Sequence, residues 1–218
     1  MSKRFLIIFA AVIVVFAGLL LFNKKDSGDS SGNGDQSKDS SAQLSNHTKG
    51  EGTTGVVLTE YGDYACPACY QYFPLVEAVK EKYGNQIKFQ FRNYPLTEIH
   101  QNALIGARAA EAADKQGKFW GMYTKLYSDQ PTWRDVSNPA TTFEGYAKDL
   151  GLNIDKFKED IKSSAINDVI QADRAEAKRL NYTSTPTFEI NGKQIENPRD
   201  LAGFEKLIDQ AIKDKKQQ

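Results

Sequence analysis

The sequence predicts a mixed α/β domain in the order β-α-β, helical block, β-β-α, carried behind an apolar amino-terminal segment and a polar tether. Three observations predict it. Two β-prone runs flank a helical pattern within about forty residues, the spacing of a βαβ unit whose crossover helix makes the strands parallel. A long helical stretch follows with no repeat period. An Asn191-Gly192 pair then sits between two short β-prone runs, a strong two-residue hairpin signal ahead of a last amphipathic helix. The chain has 218 residues, 28 basic and 28 acidic side chains and 40% hydrophobic residues, an ordinary globular mixture. A formal net charge of zero leaves no electrostatic footprint for nucleic acid. Two cysteines exclude a disulfide-dense scaffold and a four-cysteine zinc site.

Residues 5–22, FLIIFAAVIVVFAGLLLF, form a continuous apolar run. At ~1.5 Å per residue the run spans ~27 Å, close to the ~30 Å hydrocarbon core of a bilayer. Residues 1–25 are therefore read as a transmembrane anchor. A cleaved signal peptide is the main rival, giving a secreted protein, but the run exceeds the usual ~7–15 apolar residues and no small-x-small site follows it. Lipoprotein attachment has no cysteine to use here. Residues 26–52, rich in Ser, Gly and Asp, contain almost nothing to bury and read as a flexible linker. With the short amino terminus inside, both membrane readings put the domain outside the cytoplasm, where disulfides persist.

The domain is assigned to residues 53–218. Val56 to Tyr61 is the first strand, and Gly62-Asp63-Tyr64-Ala65 turns the chain into Cys66-Pro67-Ala68-Cys69. Tyr72, Phe73, Leu75, Val76, Val79 and Tyr83 then recur at helical spacing as far as Gly84, and Ile87 to Arg92 is the second strand. The insertion occupies about residues 98–180. It holds an Ala-rich helix from Asn102, a break near Gly117, a helix from Phe119 to Tyr127, a loop DQPTWRDVSNPA, and helices over Thr141–Leu150, Asp155–Ser163 and Ala165–Leu180. Thr185 to Ile190 and Lys193 to Ile195 form the hairpin, Leu201 to Ile212 the last helix, and KDKKQQ frays.

The cysteine pair carries the chemistry. As a staple, a Cys-x-x-Cys ring removes only ~2 kcal/mol of unfolded-state entropy. As half of a zinc site with His47 and His100 it lacks any motif spacing. Its placement argues for catalysis. Cys66 falls at a helix N-terminus with Pro67 in the first turn, where unsatisfied amides and the helix dipole favour a thiolate. Cys69, one turn in, is expected to be buried and to keep its proton until needed. Glu60, six residues before Cys66, either faces the space under the pair as a proton relay or points to solvent at a strand edge. Thr185-Pro186 opens a strand as an ordinary trans bond or as a cis bond that presents the Thr185 backbone to a peptide beside Cys66.

The stretches TEYGDYACPACYQYFPLVEAV, IKFQFRNYPLTEIHQNALIGARAAEAADKQGKFWGMY and TPTFEINGKQI together resemble the DsbA-type thiol-disulfide oxidoreductases, over about residues 53 to 213. The resemblance implies a thioredoxin fold with a helical insertion, Cys66 as nucleophile, Cys69 as resolving cysteine, Glu60 as the acid beneath the site and Pro186 as a cis-proline. Pro67, Ala68 and Thr185 shape the site. His100 matches a recurrent family position and is read as a helix-start or packing residue; Phe119 and Trp120 match core aromatics.

The implied activity is oxidation of extracytoplasmic proteins by donation of the Cys66–Cys69 disulfide. The same chemistry also serves a reductase or isomerase, and a non-catalytic, membrane-tethered peptide-binding module is the remaining alternative. Family members that are strong oxidants carry a histidine between the cysteines. Ala68 supplies no such charge, so a milder oxidant is expected. The linker offers nothing to dimerise, which favours a monomer. The partners implied are unfolded cysteine-bearing exported proteins and a quinone-linked membrane protein; no metal, nucleotide or organic cofactor is implied.

Overall fold

A computed structural model describes residues 43–217, so the anchor over residues 5–22 and most of the linker lie outside the described residues. Among the described residues, no helix is long and apolar enough to cross a membrane.

Five strands form one sheet in the order β1-β3-β2-β4-β5: β1 (His47–Lys49), β2 (Val56–Gly62), β3 (Ile87–Asn93), β4 (Thr187–Ile190) and β5 (Lys193–Gln194). β2 and β3 run parallel, joined by helix α1 (Pro67–Tyr83), while β1, β4 and β5 pair antiparallel to their neighbours. β2 is thus central, and it is buried along almost its whole length. Such a strand reads as a continuous apolar run rather than an alternation. The β4–β5 turn has Asn191 at φ 53° and Gly192 at φ 76°, the left-handed pair that a tight hairpin requires.

Between β3 and β4 lies the helical insertion: α2 (Ala103–Asp114), α3 (Phe119–Ser128), α4 (Gln130–Trp133), α5 (Ala140–Asp149), α6 (Ile154–Asp160) and α7 (Ser164–Arg179). α2 packs on α3, α6 and α7, and α3 packs on α1, so the insertion closes over the sheet. The alanines of α2 let its neighbours approach closely, and Ala103, Ala109, Ala110, Ala112 and Ala113 are all buried. One face of the sheet supplies Leu58, Phe89, Phe91, Phe188 and Ile190 to the main core. A smaller cluster joins Tyr61, Tyr94, Ala177 and Tyr182. Helix α8 (Leu201–Lys216) packs on α1 and β2 through Phe204, Ile208 and Ile212.

Three expectations need correction. The linker does not extend to residue 52: His47–Lys49 pairs with β3 through His47 opposite Phe91, Thr48 opposite Gln90 and Lys49 opposite Phe89. Polar side chains hold this strand. Asp173 accepts hydrogen bonds from the Ser45 amide at 3.0 Å and the Ser45 hydroxyl at 2.6 Å, and His47 Nε2 lies 2.7 Å from Glu111 Oε1. The loop after α3 contains a short helix, α4, because Pro131 fits a first turn and Trp133 buries itself fully. The last helix runs on to Lys216, four residues beyond Ile212, with Lys213, Lys215 and Lys216 in its last turn, where cations suit the dipole.

Candidate active site

β2 ends at Gly62, and the turn that follows is organised by Asp63. Its buried carboxylate accepts hydrogen bonds from the amides of Ala65 (2.8 Å) and Leu96 (3.0 Å) and lies 2.7 Å from His100 Nδ1. Its carbonyl accepts from the Cys66 amide at 3.0 Å, and its own amide lies 3.5 Å from Cys69 Sγ as donor. Gln130, fully buried on α4, donates to the carbonyls of Tyr64 and Cys66, both at 2.8 Å. The chain entering the cysteine motif is therefore clamped from two sides.

Cys66 is the N-cap of α1, with extended backbone (φ −75°, ψ 123°), and Pro67 occupies the first turn. Both cysteines are free thiols and buried; Cys69 is the deeper, with no exposure, while Cys66 keeps 6%. The Cys66 thiol is lowered to about 6, first by a hydrogen bond from the Cys69 side chain, against the cost of burial, with help from Thr185 and the amides of Cys69 and Ala68. The Cys69 thiol is pushed well up, chiefly by burial. The two sulfurs thus differ in the sense that exchange requires: one stabilised as the thiolate, one kept protonated.

Thr185 and Pro186 face this pair. The Thr185–Pro186 peptide bond is cis, and Cys66 Sγ donates to the Thr185 carbonyl at 3.4 Å. Asn197 Nδ2 donates to the Pro186 carbonyl at 2.7 Å and the Thr187 hydroxyl to the Ser184 carbonyl at 2.8 Å, which fixes the segment. The Thr185 hydroxyl is buried with no hydrogen-bond partner among the described residues.

Glu60 lies in the central strand, opposite Phe91 on one side and Phe188 on the other, with 1% of its surface exposed. Burial pushes its carboxyl up to about 8, against the pull of the Lys80 ammonium and a hydrogen bond from the Tyr127 hydroxyl at 3.5 Å. Its second oxygen has no partner among the described residues. Lys80 is itself mostly buried, paired with Glu77 and set over the rings of Trp120 (4.9 Å) and Tyr123 (4.7 Å). A carboxyl that gains and loses its proton near neutral pH therefore sits inside the domain, close enough to Cys69 for its charge to raise that thiol.

Cys66, Cys69, Glu60, Thr185 and Pro186 are thus brought together, with Pro67 and Ala68 between the sulfurs. The acid faces inward, not to a strand edge. His100, read from sequence as a helix-start or packing residue, stands just before α2, where its carbonyl accepts from the Ala103 amide at 3.1 Å, and its ring is tied to the turn that carries the cysteines. Asp63, Gln130, Lys80 and Tyr127 were missed. Asp63 alone left a signal, an Asp opening a turn and bonding the amide two residues on.

A strand, a clamped turn, an exchangeable dithiol at a helix N-terminus and a cis-proline opposite it define a thiol–disulfide exchange domain of the thioredoxin type. The family model described as Thioredoxin matches residues 43–210, and the chain belongs to that family. The match begins at Gln43, before β1, in agreement with the corrected start of the domain. In fold it is similar to alpha-DsbA1 of Wolbachia pipientis (TM-score 0.70, 22% identity, 79% of this chain and 94% of that one). It is also similar to oxidised BdbD of Bacillus subtilis (TM-score 0.68, 23% identity, 79% and 97%). Among curated proteins it is similar to Na(+)/H(+) antiporter NhaA 1 of Mycobacterium sp. (strain KMS), at 32% identity over 75% of this chain and 26% of the antiporter. The NhaA 1 of Salinispora arenicola is 36% identical over 76% of this chain and 24% of its own. The chain spans about a quarter of the length of these curated relatives.

Proposed function

We propose that the protein is a protein disulfide oxidoreductase that acts chiefly as an oxidase, donating the Cys66–Cys69 disulfide to cysteine-bearing proteins outside the cytoplasm. The observation that carries the reading is the unequal pair of thiols. Whatever stabilises the Cys66 thiolate stabilises the reduced enzyme, and so makes its disulfide a better oxidant. A substrate thiolate attacks Cys66 Sγ, the bond to Cys69 breaks, and Cys69 leaves as a thiolate that takes up a proton. Glu60, with its carboxyl near 8, is the group suited to supply that proton directly or through water. A second substrate thiolate then attacks the substrate sulfur of the mixed disulfide. The substrate disulfide forms and Cys66 departs as a thiolate that needs no proton near pH 7. The substrate lies as an extended segment along the Thr185 backbone beside Cys66.

Residues 1–25 serve as a membrane anchor in this proposal, holding a monomeric catalytic domain on the extracytoplasmic side, and a quinone-linked membrane protein takes the electrons. Sodium–proton antiport is not carried over, because it belongs to proteins about four times as long as this chain's match. The test is the reduction potential of the pair in glutathione buffers. A value above ~−160 mV supports a disulfide donor, and a value below ~−230 mV assigns the domain to reduction or isomerisation instead.

A further inference from the structure

Asp63 links His100 to Cys66. The carboxylate of Asp63 binds the imidazole through Nδ1, and its backbone binds the Cys66 amide through oxygen and reaches Cys69 Sγ through nitrogen. His100 also lines a cavity of about 430 Å³ together with Ala65 and Pro67, the residues on either side of Cys66. Its side chain is 16% exposed, whereas that of Asp63 is wholly enclosed, so the imidazole is the member of the pair that exchanges protons with water. With Nδ1 engaged as donor, Nε2 is the atom that titrates.

We propose that His100 is a positioning residue for the exchange reaction: its protonated ring cancels the buried Asp63 charge beside the cysteine turn, stabilises the Cys66 thiolate and makes the disulfide more oxidising. This inference rests on the thiol–disulfide reading above and names a residue that sets its strength. With a neutral ring, the Asp63–His100 pair carries one negative charge next to a sulfur that must itself become negative. With a charged ring the pair is neutral. Ala68 provides no charge of its own between the cysteines. The other charged groups facing the ring are Arg134, paired with Asp135 at 2.7 Å across the same cavity, and Cys66 itself. Glu98, on the histidine's own loop, is engaged by Arg174 at 3.2 Å. The hydrogen bond to Asp63 raises the His100 titration above its ordinary value, against desolvation, and the Cys66 thiolate raises it further. The ring is therefore still charged as Cys66 ionises near 6.

In the overall exchange two substrate thiols become one disulfide and the Cys66–Cys69 bond is reduced. Of the two protons released, one goes to Cys69 and one to solvent, and Cys66 stays a thiolate. His100 neither gains nor loses electrons.

The chain contains two histidines, so both can be followed by NMR in the intact protein without ambiguity. A thiolate exists only in the reduced protein. His100 is therefore expected to titrate about half to one pH unit higher in the reduced than in the oxidised protein, a roughly threefold to tenfold coupling. By reciprocity, His100→Gln moves the Cys66 titration, read by thiolate absorbance, upward by the same factor. It also weakens the pair as an oxidant of glutathione by that factor, ~30 mV for tenfold. Equal His100 titrations in the two redox states overturn the proposal, as does an unmoved Cys66 titration in the variant. A merely structural histidine gives that result even if its loss destabilises the fold. Should the wild-type potential fall in the reductase range while the redox-linked shift is present, the oxidase reading fails and this one stands.

Discussion

Two ends of the same sheet set a histidine against a buried carboxylate at 2.7 Å, and they use the pair differently. At the β1 edge, His47 lies flat on Phe119, with ring centroids 3.5 Å apart and planes 6° apart, and pairs with Glu111, which also accepts from Asn93 Nδ2 at 2.6 Å. The contacts there fasten β1 and the end of β3 to the insertion. At the carboxyl end of β2, the His100–Asp63 pair holds a turn whose next residues are the reactive sulfurs. Identical chemistry gives a latch in one place and, as we propose, an electrostatic control in the other. What differs is the neighbour: an aromatic ring at one end, a thiolate at the other.

That contrast is sharpened most strongly by exchanging one residue at each end. Cys66→Ser is expected to reduce oxidation of a reduced, unfolded substrate to the uncatalysed rate, with the urea midpoint of the dithiol protein changed little. Glu111→Ala is expected to do the reverse. It takes the 2.7 Å partner from His47 and leaves the Asn93 amide only its longer bond to Asp173 Oδ2 at 3.4 Å, which costs about 1–3 kcal/mol. Urea unfolding reads the loss, and the Cys66 titration is expected to stay in place. A Glu111→Ala protein whose Cys66 titration moved by a full unit would show that the two ends are not separate.

Glu60→Gln comes next, and its sign is opposite. The carboxyl titrates near 4.5 when unfolded and about 8 when folded, so between those values the native state holds a proton that the unfolded state has released. Stability then falls as pH rises from about 4.5 to about 8, at up to ~1.4 kcal/mol per unit. Removing the charge is expected to stabilise the oxidised protein by about 2–3 kcal/mol at pH 7 and to flatten that slope, while slowing the step in which Cys69 changes protonation. The dithiol form carries a counter-slope. Cys66 ionises near 6 when folded and near 9 when unfolded, so its contribution is present at high pH and is lost as pH falls through 6. Oxidised and reduced proteins should therefore show different pH–stability curves above pH 6. Superimposable curves would remove the unequal-thiol argument.

The sequence made the two ends unequally legible. The carboxyl end of β2 announces itself: Cys66, Pro67 and Cys69 follow a strand and a turn and open a helical pattern, and Glu60 is a lone acid in an apolar strand. Strand β1 does not. His47-Thr48-Lys49 sits in a polar, glycine-rich stretch with no apolar pattern, and its partners Glu111 and Asp173 lie 64 and 128 residues away from His47 and Ser45. Nothing local marks such a strand. Gln130 is hidden for the same reason, because its role is to hold two carbonyls some 65 positions earlier. Periodicity reports apolar burial, whereas these residues are placed by polar satisfaction across the chain.

Two glycines, one at each end, carry the same contrast. Gly50, after β1, has φ 99°, and a Cβ there would stand 2.4 Å from the Ile87 carbonyl oxygen. Backbone cannot yield, so Gly50→Ala is expected to lower stability by more than its counterpart and to leave exchange unchanged. Gly62, the last residue of β2, has no such backbone restriction. A Cβ there would stand 2.5 Å from the Phe91 ring, 2.8 Å from the Tyr127 hydroxyl and 2.9 Å from Glu60 Oε1, all buried, so these side chains must move. Gly62→Ala is expected to cost about 1–3 kcal/mol. Its effect on chemistry is larger than on stability. The added methyl pushes Tyr127 from Glu60, weakening the hydrogen bond from its hydroxyl that favours the carboxylate form. The Glu60 titration then moves upward, and with it the pH at which the oxidised protein stops losing stability. A break point that stays near 8 in Gly62→Ala would mean that Tyr127 contributes nothing to the acid, and that burial between Phe91 and Phe188 sets it alone.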